Sequence, residues 1–336
     1  MKAVVLYGKG DVRVGEFPLR TVGPGEVKIA VAYCGICGTD FHKTAGRAGS
    51  RPVRYPVPLG HEISGYVAEI GEGVEGLQVG DPVTADPNHS CGRCDYCRMG
   101  KPSFCRHAVG VVKGMAEYVV APAENVYLLP AGMDMRLAAL AEPLACCLHG
   151  MDLLELKPGE TAALVGFGAI GALMLRLMQD AGASRVLVVE PNEERRRLAL
   201  EQGAAAAISP TDAEALRRFA EEWHISRVME CVGNSAAQQT ALDAADRGAT
   251  VVLFGVSAAE DRLALSVYDA FLKELVIKTS YINPHTTQRA IDWLAAKPRA
   301  AEGIFSAVLD MEEAAEELLH PVHSRRGKVL VRINPR

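Results

Sequence analysis

The stretch Ala163 to Glu190, ALVGFGAIGALMLRLMQDAGASRVLVVE, constrains this chain more than any other. A short apolar strand runs into Gly166-Phe167-Gly168-Ala169-Ile170-Gly171. An apolar helix follows, Gly182 ends it, and a second strand over 186–189 closes on an acid. Gly166 makes the tight turn, Gly168 lets the backbone approach a pyrophosphate, and Gly171 lets the helix pack closely on the strand. The helix start, carried by Ala169 and Ile170, presents free N–H groups and a partial positive charge to the phosphates. Glu190 stands where a carboxylate can accept hydrogen bonds from both hydroxyls of an adenosine ribose. Glycines alone cluster in many turns. Strand, helix, strand and terminal acid together predict a dinucleotide site.

A chain of 336 residues exceeds one ordinary core and predicts two domains. With 49% hydrophobic and 23% charged residues it has a soluble, globular profile. A net charge of −5 offers nucleic acid or an anionic membrane no electrostatic attraction. The opening MKAVVLYGKGDVRV alternates like a strand and lacks the apolar core of an export signal, so a cytoplasmic location is expected. No apolar run approaches the ~18 residues of a spanning helix.

Residues 1–144 read as strand-rich, with short β-prone runs at 2–7, 27–32, 63–70, 82–85 and 117–120 broken by Gly, Pro and Asp. A compact, barrel-like β domain is predicted there. Over 145–280 the pattern changes to strand and helix in alternation, which predicts an α/β doubly wound parallel sheet. Strand candidates lie at 206–208, 227–232, 250–255 and 276–281. Helices are expected at 193–202, 212–222 and 235–246. Residues 281–336 offer helices at 287–296 and 311–319 and a last strand at 327–332. This tail is expected to return to the first domain and make it discontinuous.

The nine cysteines fall into different kinds. Cys91-x2-Cys94-x2-Cys97-x7-Cys105 gathers four thiols in one short loop, with Gly92, Gly100 and Pro102 letting the chain wrap an ion. Four thiolates at this spacing suit tetrahedral zinc with no open position. An Fe–S cluster is the alternative occupant, although nothing else in the chain suggests one-electron chemistry. Cys34 and Cys37 have the spacing of a redox pair but stand outside a βαβ pattern, so Cys34 is read as a buried thiol. Cys146, Cys147 and Cys231 are read as core residues.

A second constellation is scattered: Cys37 in CGICGTDFH, His61-Glu62 after Gly60, and Glu142 in AEPLACC. Catalytic zinc needs three protein ligands and one open position, which Cys, His and Glu can supply, though spacing alone does not reveal it. Taken singly, His61 reads as readily as a hydrogen-bonded core histidine, and Glu142 as a helix cap.

Over nearly its whole length the chain resembles the zinc-containing medium-chain dehydrogenases. The resemblance is carried by Cys37-Gly38-Thr39-Asp40-Phe41-His42, Gly60-His61-Glu62, the four-cysteine lobe, Glu142-Pro143-Leu144 and the glycine-rich turn. It implies a GroES-like β-barrel catalytic domain over 1–144 and 281–336, with a Rossmann domain over 145–280 inserted in it. It implies two Zn2+ per chain, the structural one on Cys91, Cys94, Cys97 and Cys105. Cys37 and His61 become catalytic zinc ligands, with Glu142 where a relative places a second cysteine or a glutamate. Glu62 is a nearby carboxylate able to join or leave the metal. Thr39 and His42 fall at the proton relay, hydroxyl to imidazole. In that reading zinc stabilises the alkoxide of a substrate alcohol and hydride passes to the nicotinamide. Cys231, Val232, Phe254, Gly255 and Val256 are assigned to the cofactor, as is Arg195, which can reach the adenosine ribose.

Glu190 favours NAD over NADP by repelling a 2′-phosphate, whereas Arg195-Arg196-Arg197 could bind one unless it is a solvated helix face. Glu142 with Tyr281-Ile282-Asn283-Pro284 resembles the polyol branch, implying a secondary alcohol of a polyol, sugar alcohol or cyclitol oxidised to a ketone. Threonine, vicinal diols and sugar-alcohol phosphates are the alternatives, the last because Arg47, Arg51 and Arg54 follow His42. A non-catalytic NAD-binding sensor that keeps both zincs is the reading from another class. Thr39 and His42 speak against it, because binding alone needs no relay. A homodimer or homotetramer is implied, paired through sheet edges near 250–281.

Overall fold

A computed structural model describes residues 1–47 and 53–334. The chain forms two compact units, Met1–Ala145 with Asn283–Arg336, and Cys146–Ile282.

The first unit is built on the long strand Glu26–Gly35, whose alternating apolar residues face one core. Glu62–Ile70 pairs antiparallel along one edge of it, with register shifts at Lys28/Ile29 and Val31/Tyr33. The other edge is divided. Tyr118–Pro122 takes its first half and Lys328–Arg332 its last. Pro82–Ala85 and Val126–Leu128 extend the sheet beyond Glu62–Ile70, and Phe305–Leu309 extends it beyond Lys328–Arg332, giving seven strands. Bulges bend such a sheet towards closure. A smaller sheet of Asp11–Glu16, Lys2–Gly8 and Val57–Pro58 stands beside it.

The second unit holds a six-stranded parallel sheet. Its order is Ala206–Ile208, Arg185–Val189, Thr161–Val165, Arg227–Glu230, Thr250–Leu253, Val276–Thr279. The order reverses between Thr161–Val165 and Arg227–Glu230, the switch point at which such sheets open a crevice at their carboxyl ends. Thr161–Val165 is buried at every residue, as a central parallel strand should be. Helices Ala169–Asp180, Glu193–Glu201, Ala213–Trp223 and Ser235–Ala244 make the crossovers.

Strands Arg227–Glu230 and Thr250–Leu253 stop two residues before their β-prone runs end. The Glu230 carboxylate and carbonyl capture the next N–H groups and turn the chain. Among the elements outside the sequence reading are the helices Gly38–Thr44, Ala141–Leu154 and Val267–Lys273 and the strands Val126–Leu128 and Phe305–Leu309. Cys34 and Cys147 are buried as expected, but Cys146 and Cys231 are only half-buried, a correction to their reading as core. Among the described residues no helix is long and apolar enough to cross a membrane.

Candidate active site and cofactor cradle

Three strands of the first unit meet at one place. Gly35, near the end of its strand, lies opposite both Glu62 and Leu330. Cys37 follows as the N-cap of Gly38–Thr44. Its Sγ, a ring nitrogen of His61 and a carboxylate oxygen of Glu62 lie within 4.8 Å of one another.

Asp40 holds this arrangement together. Fully buried, it accepts hydrogen bonds from Cys37 N and Gly60 N, each at 3.1 Å, and stands 3.9 Å from His61 Nδ1. Gly60 has φ +82°, and a Cβ there would lie 2.6 Å from Cys34 Sγ, so only glycine delivers His61. Glu62 is paired with the buried Lys328, which also donates to Ile36 O at 3.0 Å. A Cβ on Gly35 would sit 1.9 Å from Glu62 Oε2. Sequence reading had assigned Asp40, Gly35 and Lys328 no role. Only the Cys-x-x-Asp spacing, a capping-box pattern, hinted at Asp40.

The electrostatics call for a cation. Burial pushes the Cys37 thiol up to about 11, with the charge of Glu62 acting in the same direction. Burial likewise pushes Glu142, in the first turn of Ala141–Leu154, up to about 8; His61 opposes, while Glu62 and Cys37 reinforce. Glu142 is therefore near the other three electrostatically, although it stands outside the 4.8 Å group. Burial alone would depress Lys328, yet Glu62 and then Cys37 hold it above its usual 10.5. Burial thus disfavours the charged forms of the Cys37 thiol and the Glu142 carboxyl. With the His61 imidazole and Glu62 beside them they make a donor set that a divalent ion would complete, and the mixture suits zinc.

Thr39 and His42 share a face of Gly38–Thr44, three residues apart, and both are partly exposed. Burial, then the Arg47 charge, lowers the His42 imidazolium below its ordinary 6.5. Arg47 and Arg54 are exposed, and Arg51 lies outside the described residues. Cys34 is an inert thiol, pushed well above its ordinary 9.0 by burial.

The four cysteines Cys91, Cys94, Cys97 and Cys105 also bring their Sγ atoms within 4.8 Å of one another. Cys105 Sγ accepts from Cys91 N at 3.3 Å and His107 N at 3.4 Å. The backbone N–H groups of Cys97 and Arg106 draw the Cys94 thiol down to about 6. Such donors favour thiolates, the form that binds a metal.

In the second unit Gly166 has φ +92°, and a Cβ on Gly171 would lie 2.3 Å from Gly166 O. Gly168 has open space around it, as a backbone approached by phosphate requires. Ala169 and Ile170 open the helix behind it. Glu190 is buried and accepts from Phe167 N at 2.7 Å and Asn192 N at 3.0 Å, with Arg195 Nη1 at 3.8 Å. Arg196 is turned onto the carbonyls of Glu190 and Pro191, and Arg197 lies 3.6 Å from Glu201. Val232 packs on the glycine-rich turn: a Cβ on Gly166 would lie 2.5 Å from its Cγ2. Phe254, Gly255 and Val256 follow the next strand, where a Cβ on Gly255 would lie 2.1 Å from Gly233 N.

Comparison with known proteins matches residues 23–131 to the alcohol dehydrogenase GroES-like domain and 169–296 to the zinc-binding dehydrogenase family. A sorbitol dehydrogenase of Halalkalibacterium halodurans is 37% identical over 72% of this chain and 73% of its own. An L-threonine 3-dehydrogenase of Anaeromyxobacter is 33% identical over 84% of each. A solved structure from Sinorhizobium meliloti, described as a zinc-binding dehydrogenase bound to NADP, superposes with a TM-score of 0.91 at 34% identity, covering 98% of both chains.

Proposed function

Since the chain belongs to the zinc-containing medium-chain dehydrogenases, we propose that it carries hydride from a secondary carbinol of a polyol, sugar alcohol or cyclitol to NAD, leaving a ketone. The observation that carries this reading is the convergence of Cys37, His61 and Glu62 at one buried point with Glu142 in their electrostatic reach. Cys37, His61 and Glu142 would hold catalytic zinc, and Glu62, paired with Lys328, would stand beside it. Bound there, zinc supplies the Lewis acidity that acidifies a substrate hydroxyl. Thr39 accepts the hydroxyl proton and His42, whose imidazolium form burial disfavours, takes it towards solvent. A carboxylate rather than a second thiolate hardens the donor set and suits substrates rich in oxygen. Cys91, Cys94, Cys97 and Cys105 would hold a second, closed zinc, for two per chain.

NAD is the cofactor of this reading, because a carboxylate at Glu190, just after the second strand, would repel a 2′-phosphate while Arg196 and Arg197 are turned to their own chain. The similarity to an L-threonine 3-dehydrogenase supports a second reading, oxidation of threonine's secondary hydroxyl. A substrate panel with zinc-replete protein decides between them. The proposal expects NADH formation with a higher kcat/KM on polyols or cyclitols than on threonine, butanediol or primary alcohols. A maximum on threonine selects the second reading; no turnover on any of them overturns both. Repeating the panel with NADP tests the Glu190 argument.

We also place the protein in the cytoplasm, because metal-binding thiols persist in a reducing compartment. A homo-oligomer is part of the same proposal. On helix Val267–Lys273, Val267, Tyr268 and Phe271 are 75%, 70% and 76% exposed, and the neighbouring edge strand exposes Val276 and Ile277. A large apolar patch beside an open sheet edge is an interface feature.

A further inference from the structure

Glu230 ends the strand Arg227–Glu230 at the switch point of the parallel sheet, directly opposite Val165, the residue before Gly166. It is fully buried, and the mechanism above does not use it. Its Oε1 accepts from Val232 N at 2.6 Å and from Gly233 N at 2.7 Å. Its backbone carbonyl accepts from Phe254 N at 2.9 Å and Gly255 N at 3.0 Å. One residue thus ties down the turns that follow two adjacent strands.

Those turns are packed with little tolerance. A Cβ on Gly233 would lie 2.5 Å from Val256 O, and the Cβ of a residue at Gly166 would meet Val232 Cγ2 at the same distance. If the Val232-Gly233 turn moved, the glycine-rich loop would lose the wall it rests on. Two short bonds from adjacent backbone N–H groups to one buried acceptor are costly to leave unmade. Oε2 is buried and has no hydrogen-bond partner. A carboxyl is therefore held here at a cost that capping a strand does not require.

We propose that Glu230 is a positioning residue for the dinucleotide, the acceptor that pins the Cys231-Val232-Gly233 turn against the glycine-rich loop. The inference rests on the dinucleotide site assigned above to this unit. Its effect is on cofactor affinity, not on the metal.

The test is direct binding of NADH by fluorescence to zinc-loaded protein carrying Glu230→Gln or Glu230→Met, well below the melting temperature of each. Gln keeps an oxygen acceptor for the two N–H groups; Met keeps the length and removes it. The expected result is that Met weakens NADH binding about tenfold or more while Gln stays within about threefold of the native protein. Zinc content should remain unchanged in both. Equal affinity in the Met variant, or a Gln variant as weak as Met, overturns the proposal. If the Met protein does not fold, Glu230→Asp, whose carboxylate is one methylene too short, decides in its place by the same criterion. Failure of the native protein to bind NADH overturns the dinucleotide site itself, and so is distinguished from failure of the Glu230 argument.

Discussion

Gly35 illustrates how tightly single residues are fixed around the Cys37, His61 and Glu62 group. Any side chain there would occupy the position of the Glu62 carboxylate, which in turn relies on Lys328. Lys328→Met should destabilise the protein by about 3–5 kcal/mol in urea unfolding, because it strands a buried carboxylate. Glu62→Gln in the same background should recover most of that loss; no recovery would deny the coupling. His42 carries a pH prediction. Its folded value lies below 6.5, so the neutral, proton-accepting form persists below that pH. The acid limb of kcat/KM should then fall at a pH under 6.5, and His42→Gln should remove that limb and slow turnover about 10²-fold or more. A limb that survives the substitution assigns it elsewhere. Legibility at this scale was uneven. Cys37, His61 and Glu142 could be quoted because they sit in short motifs, whereas Lys328 could not, because its link to Glu62 spans most of the chain and exists only through strand pairing.

The four-cysteine lobe is an element with almost nothing of its own to bury. Helix Asp95–Arg98 and the turn Pro102–Phe104 contain no buried residue, and Phe104, Met99 and Val109 are exposed. Metal ligation is what remains to hold it. Cys97→Ser should reduce zinc from about two to about one per chain and speed amide exchange across 88–110, leaving the parallel sheet protected. An unchanged zinc content would refute the closed four-thiolate site. Elements buried along most of their length, such as Ala169–Asp180 and Thr161–Val165, were readable because burial makes them apolar runs. The short helix Gly38–Thr44 was not, since its sequence is set by what it must present rather than by an apolar face. Strand ends were misjudged where one residue, Glu230, captures the next N–H groups with its carboxylate and its carbonyl.

For the molecule as a whole, the apolar helix Val267–Lys273 leads to a statement about assembly. Phe271→Asp should convert the oligomer to monomer in light scattering, with zinc content retained; a native protein already monomeric would refute the interface. This surface was only partly legible. The edge strand could be expected from alternation of strand and helix, but the exposed aromatic helix beside it could not, because exposure of its apolar residues is set by the fold and not by their identity.

The interrupted first unit also has a consequence in time. Translation completes the second unit at Ile282, while the first still lacks Phe305–Leu309 and Lys328–Arg332. Domains fold as units while the chain emerges. A nascent chain stalled shortly after residue 282 should accordingly yield a protease-resistant core spanning 146–282 and a labile remainder; uniform digestion would contradict this order. Glu62 meets its counter-charge only when Lys328 leaves the ribosome. The Cys37, His61 and Glu62 group is thus among the first parts of the chain to be made and among the last to be completed, its buried counter-charge arriving after the glycine-rich unit is already standing.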